Sequence, residues 1–145
     1  HSKLSELLDR AYRQFGYSIL IDAHSMPHEA ILNASTGFHT SQLVLGDRYG
    51  ASCSPDIVNN LAMLISKNGL HASRNIPFSG AYIVQKYGRP ELNRHAIQLE
   101  IDRSMYMDER KIQKLEKFYK LKNKLLNILR DFSKTHTSIT SIAAE

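Results

Sequence analysis

Short apolar runs alternate with helical stripes along this chain, and the alternation predicts an α/β protein. Residues 3–15 place apolar side chains at helical spacing, and Gly16 follows them as a natural helix stop. Residues 17–23 are rich in Ile and Leu, which is typical of a buried strand. Further strands are predicted at residues 41–45, 70–76 and 95–101. Because helices separate the strands, we expect a mixed, mainly parallel sheet flanked by helices.

Two helices are predicted between the later strands. The run Ser54-Pro55-Asp56 suits a helix start, since Ser can cap it, Pro fits its first turn and Asp favours the positive end of its dipole. Residues 81–87 form a shorter helix that Gly88 ends. Residues 28–40 show no clear period, so we expect a loop there.

A long final helix is predicted from Asp108, which can cap it, to about Phe132. Its apolar side chains share one face and are expected to point inward: Ile112, Leu115, Phe118, Tyr119, Leu125, Ile128, Leu129 and Phe132. Residues 133–145 are rich in Ser and Thr and lack a period, so we expect a mobile tail. The domain organisation that follows is one α/β domain over residues 1–132 and a tail over 133–145.

Composition and charge exclude some classes of protein. The chain is 42% hydrophobic and 23% charged, and it has no apolar run near the roughly 20 residues that a membrane helix needs. Cys53 is the single cysteine, which excludes an internal disulfide and favours a reducing cytoplasm. The net charge of +5 is concentrated in residues 110–130, where a solvated helix face is more typical than a nucleic-acid surface.

Polar or ionisable groups follow several of the predicted strands. They are His24, the pair Asp47/Arg48, the pair Arg74/Asn75, and Glu100. If the strands are neighbours, we expect these groups to converge on one cleft. A neutral His is a good zinc ligand, a Glu can act as general base, and arginines bind carboxylates. Together they predict a metal-assisted hydrolase site for an anionic amide.

Each candidate also has a purely structural interpretation. Glu100 could pair with Arg103 on the surface, and Asp47 with Arg48 could stabilise a turn. Cys53 is favoured as a small buried side chain over a nucleophile. The remaining histidines lack metal-ligand spacing and are expected to be structural or solvated: His28, His39, His71 and His95. The sequence contains no GxSxG elbow, no P-loop and no Rossmann glycine motif.

Five motifs in a fixed order resemble the N-formylglutamate amidohydrolase family. They are Asp22-Ala-His24-Ser25-Met26-Pro27, Leu45-Gly46-Asp47-Arg48-Tyr49-Gly50-x-Ser52-Cys53, Arg74-Asn75-x-Pro77-Phe78-x-Gly80-Ala81-Tyr82-Ile83, Tyr87-Gly88-Arg89-Pro90, and Gln98-Leu99-Glu100-Ile101-Asp102-Arg103 with Tyr106-Met107. The resemblance runs from about His1 to about Leu129. The order of several motifs makes it far more specific than any one of them.

The resemblance implies a zinc-carboxypeptidase-like fold and hydrolysis of N-formyl-L-glutamate to formate and L-glutamate, a step of histidine degradation. It implies that His24 is a zinc ligand and that Glu100 is the general base. Arg48 and Arg74 are the candidates for binding the substrate carboxylates, with Asn75 assisting. Zinc or another divalent metal is the cofactor that the resemblance implies.

The chain departs from the family pattern before His24. Related enzymes take a further His and a Glu as metal ligands from an upstream segment, and no residue before His24 matches them. The chain also enters a helix directly after His1, so we expect it to be the carboxyl-terminal part of a longer enzyme. As such a part it is expected to bind metal poorly, to lack activity and to expose part of its sheet to a partner segment or a second copy.

Two other functions stay open at this point. One is a non-catalytic module that binds an anionic ligand through the arginines. The other, less favoured, is a nucleic-acid binder that uses the basic final helix.

Overall fold

The structure is a computed structural model that describes residues 1–34 and 41–137. Its α-helices in these ranges are α1 (Ser2–Phe15), α2 (His28–Ala34), α3 (Pro55–Lys67), α4 (Tyr82–Tyr87) and α5 (Phe118–Thr137). Its strands there are β1 (Ser18–Met26), β2 (Leu43–Gly46), β3 (Ala72–Arg74), β4 (Arg94–Asp102), β5 (Met107–Asp108) and β6 (Gln113–Lys114). None of the helices in these ranges is long and apolar enough to cross a lipid bilayer.

A four-stranded sheet in the order β1-β4-β2-β3 forms the framework. Strand β1 runs parallel to β4, and β2 runs parallel to β3. The central pair, β4 and β2, is antiparallel. The predicted mixed, mainly parallel sheet flanked by helices is therefore confirmed.

The sheet has an apolar face and a polar face. Alternate side chains of a strand point to opposite faces, so Ile97 and Leu99 of β4 point one way and Gln98 and Glu100 the other. The apolar face packs on helices α3 and α5, and the core between them contains Leu43, Leu45, Val58, Leu61, Ile65, Ile97, Leu99, Leu121, Ile128 and Phe132. Each such buried side chain contributes about 1.5–3 kcal/mol, so this face anchors the fold.

Two helix ends lie where the sequence predicts them. Gly16 adopts a left-handed conformation with φ 74° and donates its N–H to the carbonyl of Tyr12, which ends α1 as predicted. Helix α3 begins at Pro55, directly after Ser54. The Ser54 side chain makes no capping hydrogen bond, however, so the predicted cap is wrong in that detail.

The loop predicted over residues 28–40 is wrong for its first half, because residues 28–34 form α2. Pro27 precedes the helix, and its carbonyl accepts a hydrogen bond from Ala30 N–H at 3.1 Å. A helix of this length buries one side chain, Ile31, so its sequence shows too few turns to reveal a period. Residues 35–40 lie outside the described residues.

The predicted start of the final helix is also wrong. Asp108 caps a turn: its carboxylate accepts the backbone N–H groups of Arg110 and Lys111 at 3.0 Å, between the short strands β5 and β6. Ile112, expected to face the core, is 81% exposed. An Asp satisfies the free N–H groups of a turn as well as those of a helix, and the sequence does not separate the two cases.

Helix α5 begins at Phe118 and continues to Thr137, past the predicted end at Phe132. Tyr119, also expected inside, is 61% exposed. Residues 133–137, the first part of the expected tail, are therefore helical, and residues 138–145 lie outside the described residues. The division into a domain and a tail otherwise stays a prediction.

Candidate active site

Strand β4 carries a row of buried polar side chains on its polar face. Gln98, Glu100 and Asp102 alternate with the apolar residues, and each is less than 10% exposed. Burying a carboxylate is unfavourable unless hydrogen bonds compensate it. The partners of this row therefore show how the sequence sustains two buried acids on one strand.

Glu100 receives its compensating hydrogen bond from Gln98. The Gln98 Nε2 atom lies 2.6 Å from Glu100 Oε1, and the Gln98 Oε1 atom accepts the backbone N–H of Ala81 at 2.7 Å. The surface pair with Arg103 is not formed. Arg103 instead donates through Nε to Ser25 Oγ at 3.2 Å.

His24 lies beside Glu100. The two residues are direct partners in the parallel pairing of β1 and β4, so their side chains leave the same face about 4.8 Å apart at the backbone. His24 Nε2 lies 3.0 Å from Asp22 Oδ1, while almost half of its side chain is exposed. In the neutral ring this contact places the proton on Nε2 and leaves the Nδ1 lone pair for a ligand.

The described residues do not form a complete metal site. A catalytic zinc takes three protein ligands, and residues 1–34 and 41–137 contain no group of three or more His, Cys, Asp or Glu side chains that could hold a metal ion. His24 is thus a candidate ligand without companions in this part of the chain. That a further His and Glu come from an upstream segment stays a prediction.

Asp47 organises a second polar cluster. Its fully buried carboxylate accepts Arg74 Nε at 3.1 Å and Arg74 Nη2 at 2.5 Å, and it accepts Asn75 Nδ2 at 2.6 Å and Gly50 N–H at 3.1 Å. Asn75 Oδ1 in turn accepts the Asp47 N–H at 3.0 Å. Burial acts to raise the pKa of Asp47, but the hydrogen bonds from Arg74 and Asn75 and the charge of Arg74 outweigh it and lower that pKa.

The second cluster does not join Glu100 and His24 directly. Strand β2 runs antiparallel to β4, so Asp47 follows β2 toward the opposite end of the sheet from Asp102. Arg74 is in register with Leu45, whose side chain belongs to the apolar face. The antiparallel pairing therefore separates the Asp47–Arg74 pair from the His24–Glu100 pair, and the convergence of all four segment ends on one cleft stays a prediction.

Arg48 is the candidate arginine whose guanidinium has no partner among residues 1–34 and 41–137. Within the described parts of the chain, its guanidinium makes no hydrogen bond or ion pair, while its backbone N–H donates to the carbonyl of Ser79 at 2.7 Å. Arg48 and Tyr49 both have positive φ angles, 53° and 56°, which are uncommon for side chains of this size. Such strain is frequent at functional sites.

The approach of the segment that contains Ser79 to strand β2 depends on two glycines. A Cβ on Gly46 would lie 2.6 Å from the backbone nitrogen of Gly80. Gly80 itself has φ 106°, and a Cβ there would lie 2.5 Å from Val84 Cγ2 and 3.4 Å from Arg48 Cγ. Only glycine at both positions lets this segment lie against β2, where Ala81 meets Gln98 and Arg48 lies close by.

The structure also places a cluster that sequence reasoning missed. Asp102 Oδ2 lies 2.8 Å from His28 Nδ1, and Asp102 Oδ1 accepts the N–H of Ser104 at 2.8 Å. Glu109 Oε1 accepts the His28 backbone N–H at 2.9 Å. The two-residue spacing of Asp102 from Glu100 is the signal that could have placed it on the same face.

Two further residues have structural roles. Burial raises the pKa of the Cys53 thiol to about 12, with a further contribution from the charge of Asp47, so it is not an activated nucleophile. Buried His95 accepts the Ser54 N–H through Nδ1 at 3.3 Å, and burial lowers its pKa. His39 lies outside the described residues.

A groove of 680 Å³ borders strand β1. It runs between β1 and α5 and is lined by His24, Ser25, Arg103, Leu125 and Leu129 among others. Glu100 does not line it, so of the His24–Glu100 pair only His24 borders the groove.

The fold and the His24–Glu100 pair define an α/β protein with a candidate hydrolytic site. Residues 1–107 match the N-formylglutamate amidohydrolase family model. The chain belongs to this family, which confirms the resemblance carried by its motifs.

Two curated relatives are N-formylglutamate deformylases. The one from Pseudomonas aeruginosa is 36% identical over 110 residues, which cover 75% of this chain and 41% of the relative. The one from Pseudomonas putida is 37% identical over 110 residues, covering 75% of this chain and 40% of the relative. The chain thus spans less than half the length of the curated relatives it matches.

The fold is also that of a solved relative. The crystal structure of N-formylglutamate amidohydrolase from Ralstonia eutropha superimposes with a TM-score of 0.82 at 33% identity. The match covers 92% of this chain and 49% of the solved one.

Proposed function

We propose that this chain carries the general base and one metal ligand of a metal-dependent amidohydrolase that hydrolyses N-formyl-L-glutamate to formate and L-glutamate. The reaction would be a step of histidine degradation in the cytoplasm. The observation that carries the proposal is the pairing of His24 with Glu100 on one face of the sheet. Family membership and the two deformylase relatives support the substrate.

Glu100 is suited to the role of general base. It is buried, and Gln98 occupies one of its two carboxylate oxygens, which leaves Oε2 for a water molecule. Glu100 would accept a proton from the water as the water oxygen attacks the formyl carbon. The proton then goes to the amide nitrogen as the C–N bond breaks, so that formate and the free amine leave.

His24 is the proposed metal ligand, through Nδ1. Its contact with Asp22 has the form in which carboxylates orient metal-binding histidines. Zinc or another divalent metal would polarise the formyl carbonyl when it is bound. The other ligands would come from outside the described residues, from an upstream segment or from a partner chain.

Arg48 is the best-supported candidate for a substrate carboxylate. Its guanidinium is not engaged with any described residue, and its Cγ lies near Gly80, whose neighbour Ala81 contacts Gln98. Arg74 uses Nε and Nη2 for Asp47 but keeps Nη1. Asn75 is 6% exposed and bound to Asp47 at both ends of its amide. We propose that Asn75 assists by fixing the Asp47–Arg74 pair.

The test combines elemental analysis with an activity assay on one sample. The chain alone, and the chain supplied with the portion that the Pseudomonas aeruginosa relative carries outside the match, are each assayed for bound metal and for formate release from N-formyl-L-glutamate. Bound metal and formate release that occur in the combined sample but not in the chain alone support the proposal. Formate release that survives complete removal of metal contradicts metal dependence, and no release from the combined sample contradicts the substrate assignment.

A non-catalytic anion-binding module is the second candidate, and it is favoured by the unengaged Arg48 together with the lack of a metal site in the described residues. It predicts that glutamate binds to the chain without metal, which calorimetry with and without a chelator would measure. A nucleic-acid role has one supporting feature, the exposed Tyr119 on the basic helix α5.

A further inference from the structure

We infer that Gln98 is a positioning residue for Glu100: it holds the Glu100 carboxylate in one orientation by linking it to the backbone N–H of Ala81. The inference rests on the proposed function, which makes Glu100 the general base, and it adds Gln98 to the residues of that site. Two hydrogen bonds form the link, one between Ala81 and Gln98 and one between Gln98 and Glu100.

The direction of the Gln98 amide is fixed by chemistry. A backbone N–H can only donate, so the atom of Gln98 that faces Ala81 at 2.7 Å must be its oxygen. The amide nitrogen therefore faces Glu100 Oε1 at 2.6 Å. Since this nitrogen also can only donate, Glu100 Oε1 must accept, and any proton that Glu100 takes up must go to Oε2.

Burial makes this arrangement matter. Gln98 and Glu100 are 5% and 7% exposed, so water cannot readily replace either hydrogen bond. A hydrogen bond to a buried charged group is roughly twice as strong as one between neutral groups. Gln98 therefore fixes the orientation of the Glu100 carboxylate and leaves Oε2 as the oxygen that can accept a proton from water.

Ala81 can reach Gln98 because its segment lies close against strand β2 at Gly46. Gly46 is the partner of Gln98 in the antiparallel pairing of β2 and β4. A side chain on Gly46 would collide with Gly80 and Ser79, the residues that lead to Ala81. The Ala81 backbone thus comes close enough to bind the Gln98 amide. A polar side chain that only filled space would not require this contact.

The first test uses this chain and needs no activity. The exchange of the Gln98 side-chain NH2 protons with water is measured by NMR at neutral pH, in the wild type and in Glu100→Ala, which removes the acceptor. We expect slow exchange in the wild type and fast exchange in the variant. Equal exchange rates in the two proteins would overturn the inference.

The second test uses the chain combined with the remaining portion of a relative, in the formate assay. Gln98→Met keeps the length of the side chain but removes the donor. We expect kcat to fall roughly tenfold to a hundredfold with KM little changed. Gln98→Glu should lower kcat further, because two carboxylates then face each other.

Gln113→Met is the matched control, since Gln113 is exposed on β6 and its replacement should leave both kcat and KM unchanged. An unchanged kcat in folded Gln98→Met would overturn the inference even if stability falls, because a residue that positions the Glu100 carboxylate must affect the chemical step. If Gln98→Met does not fold, the NMR exchange measurement decides. If Glu100→Gln keeps full activity, the proposed base is wrong, and this outcome is distinct from a failure of the Gln98 inference.

Discussion

Asp22 and His24 contact each other along one strand, with Asp22 Oδ1 3.0 Å from His24 Nε2 and the ring next to Glu100. If His24 binds the metal through Nδ1, Asp22 fixes the tautomer that does so. In the chain combined with the rest of the enzyme, we expect Asp22→Ala to weaken metal binding roughly 10–100-fold. Competition with a calibrated chelator would measure it.

The control for Asp22→Ala is Asp131→Ala, which removes an exposed carboxylate on α5. Equal metal affinity in the two variants would show that Asp22 does not orient a ligand. A loss of affinity in both would point to a general charge effect instead.

The second prediction concerns Glu100→Gln in the combined protein. We expect formate release to fall by roughly 10²–10⁴-fold, the usual contribution of a general base. The fold should persist, because the new amide oxygen can still accept from Gln98 Nε2. Turnover and the thermal unfolding midpoint are measured on the same preparation. The exposed Glu116→Gln serves as control, and comparable activity in the two variants would contradict the assignment.

The sequence is sufficient to predict the side-by-side placement of His24 and Glu100, because both follow apolar positions on strands of a mainly parallel sheet. It is not sufficient to predict that Asp47 binds Arg74 and Asn75. That contact depends on the pairing of β2 with β3, which joins residues far apart in the chain. Local patterns carry no information about the direction of β2 relative to β4, and this direction separated the two polar clusters.

Local ambiguity explains the remaining differences. Asp108 is a good cap, but the sequence around it does not say whether the capped element is a turn or a helix. Ile112 and Leu115 continue the apolar period of α5. The period therefore predicts helix in a segment that forms the β5–β6 hairpin. The Gln98–Glu100–Asp102 row, by contrast, follows directly from strand alternation and could have been predicted in full.

The third prediction is that Asp47→Ala is destabilising. The variant leaves the buried Asn75 amide without its acceptor, which typically costs about 1–3 kcal/mol, while the Arg74 guanidinium, whose side chain is 37% exposed, can turn to water. Urea unfolding gives the change in the free energy of unfolding. Asp9→Ala is the matched control, because it breaks an exposed ion pair with Arg94 that is expected to contribute about 0–1 kcal/mol. Equal losses in the two variants would contradict the prediction.

The Asp47–Arg74 pair predicts how the stability of the fold changes as the pH falls. The folded-state pKa of Asp47 is lowered, so its contribution is complete above the unfolded value of about 3.9 and is lost as the pH falls through the lower folded value. The difference in unfolding free energy between wild type and Asp47→Ala should therefore be constant from neutral pH to about pH 4 and shrink only below it. A difference that already shrinks near pH 6 would show that another group dominates.

The last prediction concerns His95, which accepts the Ser54 N–H at the start of α3 and must be neutral to do so. Burial, and secondarily the nearby His136, lower its folded-state pKa. The unfolded chain therefore takes up a proton first as the pH falls below about 6.5, and stability declines from there until the folded value is reached. A proton on His95 would also face the positive end of the α3 dipole.

We expect His95→Asn, whose Oδ1 can accept the same N–H, to reduce the slope of the unfolding free energy against pH between pH 6.5 and 5. The exposed His71→Asn should leave this slope unchanged. Urea unfolding across this range would measure both, and an unchanged slope in His95→Asn would assign the dependence to His136, whose pKa burial also lowers.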